Sequence, residues 1–108
     1  MSILIVGYGV VGHNLYQDLI KLSPHIYDKY KIENNTKLDI KYDFCFICVD
    51  TPYTENNICD VSQIENALQE NIADIYIIKS TILPGTTEKL INKYNKNIIF
   101  SPEYYGGT

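Results

Sequence analysis

Residues 7–12 read Gly7-Tyr8-Gly9-Val10-Val11-Gly12, a G-x-G-x-x-G string. Glycines at that spacing let a backbone close on a phosphate. Gly7 permits a tight turn, Gly9 leaves room for a diphosphate to approach the main chain, and Gly12 lets a helix pack close to a sheet. A helix opening at this point offers unpaired N–H groups and a partial positive charge to an anion. Glycines also mark plain turns, so the reading depends on what flanks them. Asp28 follows 21 positions after Gly7. A carboxylate there accepts hydrogen bonds from both hydroxyls of an adenosine ribose and repels a 2′-phosphate, which favours NAD over NADP. Lys29 and Lys31 beside it soften that repulsion.

The flanks are those the chemistry needs. Ile3–Val6 is short, apolar and largely β-branched, as a buried parallel strand should be. After the glycines, Val11, Leu15, Leu19 and Leu22 recur at helical spacing until Ser23-Pro24 stops them. His25–Tyr27 and Phe44–Val49 read as further strands. Asp60 with Gln63 forms a capping box ahead of the helical face Ile64, Ala67, Leu68 and Ile72. Ile75–Lys79 is another strand, Pro84-Gly85-Thr86 opens a helix bearing Leu90, Ile91 and Tyr94, and Asn97–Phe100 closes the series. Strands alternating with helices predict a parallel sheet with crossover helices. Fifteen residues separate Asp28 from Phe44. That is too short for a helix plus a strand, so Thr36–Ile40 is expected as a vestigial strand in a clipped sheet of about five or six.

In open α/β sheets, ligands bind at the C-terminal ends of the strands. Three further polar segments fall there: Val49-Asp50-Thr51-Pro52, Lys79-Ser80-Thr81 running on to Thr87, and Ser101-Pro102-Glu103-Tyr104. Each alone is compatible with an ordinary loop; their recurrence at one sheet edge argues for a site.

Composition narrows the partners. The 108 residues carry a net charge of −4, and the nine basic residues are all lysine, a balance that argues against a nucleic-acid partner. No apolar run approaches the ~18 residues of a membrane span. Three cysteines without an export signal suggest a reducing, cytoplasmic setting. Cys45 and Cys48 fall on opposite faces of one strand, which suits core packing and prevents shared metal ligation; no metal site is expected. Cys59 has no assigned role.

These strings together resemble the N-terminal NAD-binding domain of the UDP-glucose/GDP-mannose dehydrogenases. The likeness runs through the glycine string, Asp28, "VDTP" at 49–52, "CDVSQIENAL" at 59–68, "IIKSTILPGTT" at 77–87 and "IIFSPEYY" at 98–105. It implies a Rossmann-like, doubly wound parallel sheet, shortened around its third strand, with residues 1–108 as a single domain. Enzymes of this family oxidise the C6 alcohol of a nucleotide sugar to a carboxylate, reducing two NAD, and supply polysaccharide biosynthesis. By resemblance, Thr51 and Thr81 contact the nicotinamide end of NAD, Thr81 helps hold the hydrolytic water, and Glu103 is the acid/base carboxylate near it.

The chain also departs from that pattern. The family's nucleophilic cysteine and its supporting Lys, Asn and Asp lie in a C-terminal domain, and Cys45, Cys48 and Cys59 match no catalytic position. Gly107 stands where a second Glu is common, Glu33 stands where a basic residue is common, and the 29–43 segment is short. The expectation is an NAD-binding module inactive alone, completed by a separate substrate-domain chain. The alternative is a non-catalytic nucleotide-binding or interaction domain, self-associating through an uncovered surface such as Tyr104-Tyr105.

Overall fold

Strand β1, Ile3–Val6, is buried along its whole length, so it has no polar alternation. In the computed structural model, which describes residues 1–52 and 59–102, β1 lies between β2 (His25–Tyr27) and β3 (Tyr42–Ile47). The order β2-β1-β3-β4-β5 is completed by β4 (Ala73–Ile78) and β5 (Ile98–Phe100), and every pairing is parallel. Five strands with helices on both faces make the doubly wound, Rossmann-like sheet that the sequence predicts.

The two faces are filled differently. Helix α1 (Val10–Asp18) sets Leu15 on Ile3 and Ile5. On the other face, α2 (Ser62–Glu70) and α3 (Thr86–Tyr94) bring Ile64, Leu68 and Leu90 against Leu4, Ile47, Tyr76 and Ile78. Cys45 faces the α2–α3 side and Cys48 the α1 side, as strand alternation requires. Lys96 Nζ donates to the carbonyl of Leu68 at 2.7 Å and Lys37 Nζ to that of Glu70 at 3.3 Å, which places cations at the negative end of α2.

Several local expectations are corrected. The helix after the glycines ends at Asp18, and Ile20–Leu22 forms a single 3₁₀ turn. Leu22 is therefore 47% exposed rather than part of the buried stripe. Pro24 disfavours a right-handed helical conformation at the preceding residue, and Ser23 turns left-handed with φ 51°. The Asp60/Gln63 capping box does not form at the helix cap. Asp60 lies one residue before the cap, Val61, and accepts the N–H of Ser62 at 2.9 Å. Ile72 lies beyond the C-cap Asn71 and is 63% exposed, outside the predicted apolar face.

The short connection from β2 to β3 contains one 3₁₀ turn, Ile32–Asn34, and no strand forms at Thr36–Ile40. Instead, Thr36 and Lys37 clip onto the outer edge of β2. Both main-chain N–H groups donate to the carbonyl of Ile26, at 2.8 and 3.1 Å, and Thr36 Oγ1 accepts the N–H of Ile26 at 2.9 Å. The buried Tyr42 anchors this connection, its hydroxyl accepting the N–H of Leu38 at 2.9 Å and meeting His25 Nδ1 at 2.8 Å. Two main-chain bonds and one side-chain bond at a single residue of the edge strand take the place of the strand ladder that fifteen residues were too few to build. With no helix in this crossover, the α1 face is only partly covered. Phe46, Ile77 and Ile99 form a row in register across β3, β4 and β5, and Ile99 is 51% exposed.

Candidate functional site

The C-terminal ends of β1, β2, β3 and β4 surround a cleft of about 540 Å³. Its floor is the glycine turn. Gly7 has φ +95°, a left-handed conformation that side chains resist, and its N–H donates to the Tyr27 carbonyl at 2.8 Å. A Cβ on Gly7 would stand 2.7 Å from the Cys48 carbonyl oxygen. Gly9 differs: its φ is −80°, which any residue adopts, and a Cβ there would meet nothing within 4 Å. Gly9 therefore opens onto space, at a helix start that no side chain caps. An approaching anion finds both room and the orphan N–H groups of the first turn of α1. By that measure the turn fits a dinucleotide's diphosphate.

Gly7, Tyr8, Gly9, Val10, Val11, Asp28, Val49, Asp50, Thr51, Ser80 and Thr81 all line the cleft. Two expected cofactor residues do not. Gly12 lies beneath the floor, against Gly7, and exposed Pro52 uses its carbonyl to accept the N–H of Asp60 at 2.8 Å. Glu103, Tyr104, Tyr105 and Gly107 lie outside the described residues.

The polar groups of the cleft are held by one another. Thr51 Oγ1 donates to the Thr81 carbonyl at 2.6 Å, joining the ends of β3 and β4. Ser80, buried, donates to the Val49 carbonyl at 2.6 Å. Lys79 is also buried, and its Nζ donates to Ser101 Oγ at 3.2 Å, tying the end of β4 to that of β5. Tyr8 packs edge-on against His13 and Tyr16, and its hydroxyl pKa is raised by burial and then by Tyr16.

Asp28 is only 8% exposed. Its Oδ2 accepts the N–H of Tyr8 at 2.7 Å, and its Oδ1 accepts those of Tyr30 and Lys31 at 2.8 and 3.1 Å. The carboxylate thus fixes the glycine turn and the loop after β2 to each other. Lys31 reinforces this contact, its Nζ donating to the Tyr8 carbonyl at 2.8 Å.

Sequence reasoning missed the wall opposite the glycine turn. Gln63, Asn66, Ala67 and Glu70 of α2 line the cleft, as does Tyr30. Gln63, Asn66 and Glu70 share a helical stripe, legible as polar; that it borders the cleft depends on how α2 crosses the sheet. Among the described residues no group of His, Cys, Asp and Glu is placed to hold a metal, and no helix is long and apolar enough to cross a membrane.

Comparison with known proteins places this architecture. Residues 17–105 match the family model described as UDP-glucose/GDP-mannose dehydrogenase family, NAD binding domain. No curated protein sequence matches. Among solved structures, GDP-mannose dehydrogenase from Pseudomonas aeruginosa, in a ternary complex, aligns with TM-score 0.70 at 20% identity over 96% of this chain and 36% of its own. UDP-N-acetyl-mannosamine dehydrogenase from Staphylococcus aureus aligns with TM-score 0.69 at 19% identity, over 96% of this chain and 37% of its own. UDP-glucose dehydrogenase from the archaeon Pyrobaculum islandicum gives 0.68 at 20% identity, over 95% and 36%. At such identities the alignments report the fold, and the chain spans little more than a third of each of these proteins. The family match covers most of the sequence, and the chain belongs to the UDP-glucose/GDP-mannose dehydrogenase family, in its NAD-binding domain.

Proposed function

We propose that residues 1–108 act as one domain that holds NAD for a nucleotide-sugar 6-dehydrogenase, oxidising a sugar C6 alcohol to a carboxylate for polysaccharide synthesis. The observation that carries this reading is the open space over Gly9 at the uncapped start of α1. Main-chain N–H groups of residues 9–11 would take the diphosphate, with Tyr8 and Asp28 at the adenosine side. Val49, Asp50, Thr51, Ser80 and Thr81 would frame the nicotinamide end. NAD, when bound, supplies the hydride acceptor. Thr81 would orient the hydrolytic water and Glu103 would take its proton, in keeping with the family resemblance. No cysteine of residues 1–108 occupies a nucleophile's position, so the covalent chemistry must come from outside them. A reducing compartment, the cytoplasm, suits Cys45 and Cys48, both buried in the core.

Calorimetric titration with NAD tests the reading: saturable binding is expected, lost in Gly9→Val. No binding at millimolar NAD would end it.

One observation favours a second role, association with another protein or with itself. Phe44, Phe46, Ile75 and Ile77 are only half-buried beside the exposed Ile99 on the thinly covered face. Light scattering discriminates, because a strict monomer at high concentration would remove self-association.

A further inference from the structure

We infer that the adenosine end of this cleft accepts a 2′-phosphate, so that the domain binds NADP as well as NAD; the inference rests on the dinucleotide reading above. An acidic residue at the end of the second strand excludes NADP when its two oxygens are free to grip the ribose hydroxyls and to repel a phosphate put in their place. In this chain that carboxylate is already engaged. A carboxylate offers about four acceptor positions, and Asp28 uses three of them on the N–H groups of Tyr8, Tyr30 and Lys31. One position remains, enough for a single ribose hydroxyl. The group is 8% exposed, screened by the loop it holds together.

Cations sit where the exclusion would act. Lys29 and Lys31 are exposed, follow Asp28 closely in sequence and line the cleft with it. Lys31 Nζ reaches the Tyr8 carbonyl, 2.8 Å away, which places an ammonium at the junction of the glycine turn and the loop after β2. An exposed lysine on one neutral carbonyl gives up little in moving to a dianionic phosphate. Lys29 Nζ stands 5.1 Å from the ring centre of Tyr30, itself 72% exposed on the cleft wall. A Tyr ring with a cation above it presents a flat surface for a purine and a charge for its ribose phosphate. Glu70 also lines the cleft, from α2, and opposes this attraction. It belongs to a different element from the two lysines, and Lys37, whose Nζ donates to its main-chain carbonyl at 3.3 Å, sets a further cation beside it.

The test is titration of the chain with NAD, NADP, AMP and adenosine 2′,5′-bisphosphate, the last two differing only in the 2′-phosphate. NADP is expected to bind within about tenfold of NAD, with the steeper salt dependence of an extra charge contact. Replacing both lysines, Lys29→Gln with Lys31→Gln, should shift the NADP:NAD affinity ratio about tenfold toward NAD. Thermal melts of the same variant confirm folding. Asp28→Asn should weaken both cofactors alike, because it loosens the turn they share. NADP weaker than NAD by more than about tenfold, or a ratio unmoved by the double substitution, overturns the inference and leaves NAD binding intact. A selective gain of NADP affinity in Asp28→Asn overturns it too, since Asp28 would then be the excluding charge. Failure of NAD itself to bind removes the underlying reading, and this inference with it.

Discussion

A Cβ placed on Gly12 would stand 1.9 Å from the carbonyl oxygen of Gly7. The third glycine of the turn is thus a packing requirement, whereas the second keeps open space. The two should separate in experiment. Gly12→Ala forces backbone apart and should cost more than about 3 kcal/mol, the upper end for overpacking. Gly9→Val should leave the melting temperature within a few degrees while abolishing NAD binding. Paired melting and titration curves check both outcomes.

The hydrogen bond from Thr51 Oγ1 to the Thr81 carbonyl joins the loops after β3 and β4, which we propose frame the nicotinamide end. Thr51→Val keeps the shape and removes the donor. A neutral hydrogen bond contributes about 0.5–1.5 kcal/mol, so NAD affinity should fall by roughly two- to twelvefold with a small stability loss. Unchanged affinity would show that Thr81 needs no such restraint.

Thiol reactivity should divide the cysteines. Burial pushes the Cys45 thiol up to about 12, against a smaller opposing pull from Lys37 and Lys96. Cys48 is buried as well, whereas Cys59 is half-buried and lies 3.7 Å from the Thr51 carbonyl. A thiol reagent at pH 8 should therefore modify Cys59 first, with Cys45 and Cys48 reacting only on unfolding. Peptide mapping after brief labelling reads the result; early labelling of Cys45 would contradict its placement in the core.

Glu65 joins α2 to α3, accepting hydrogen bonds from Lys93 Nζ at 2.6 Å and the Tyr94 hydroxyl at 2.7 Å. Those bonds, Lys93 first, hold its carboxyl below the ordinary 4.5. A pKa depressed on folding stabilises the protein above the unfolded value, and that contribution is lost as pH falls through the folded one. The melting temperature should drop below about pH 4.5 partly for this reason, and Glu65→Gln should flatten that part of the acid limb. At neutral pH the substitution should cost about 1 kcal/mol or less, because the pair is partly solvated. Melts from pH 3 to 7 decide it.

The 108-residue chain alone should show no turnover of UDP-glucose with NAD. Absorbance of the reduced cofactor is the readout. Turnover without an added protein would mean that one of Cys45, Cys48 and Cys59 is the nucleophile.

The parts of the fold legible in sequence were those with a strong local cause. Ile3–Val6 is apolar throughout, and the glycine string sits between a strand and a helical stripe, so their order and type followed directly. Errors arose where a tertiary partner displaced a local preference. Asp60 bonds Ser62 rather than completing a box with Gln63, and Thr36 clips onto Ile26 of β2 through its main-chain N–H and its side chain rather than forming a strand. The cleft's glycine side was readable because its spacing is chemical. Its far wall was not, since Gln63, Asn66 and Glu70 reach it through the packing angle of α2. Asp28 shows a third limit: its position was evident, but its three main-chain bonds depend on a loop whose path no pattern specifies.

Every ladder of the sheet is parallel, so no two neighbouring strands are joined by a hairpin. Each pairing must bring together segments separated by a helix or a long connection, and that closure entropy is spent before any contact rewards it. Refolding from denaturant should accordingly be slow for a chain of this length, in the millisecond-to-second range rather than microseconds. Until β1 has gathered β2 and β3 on either side, the chain carries bare apolar strand edges, the stage at which it is most exposed to aggregation.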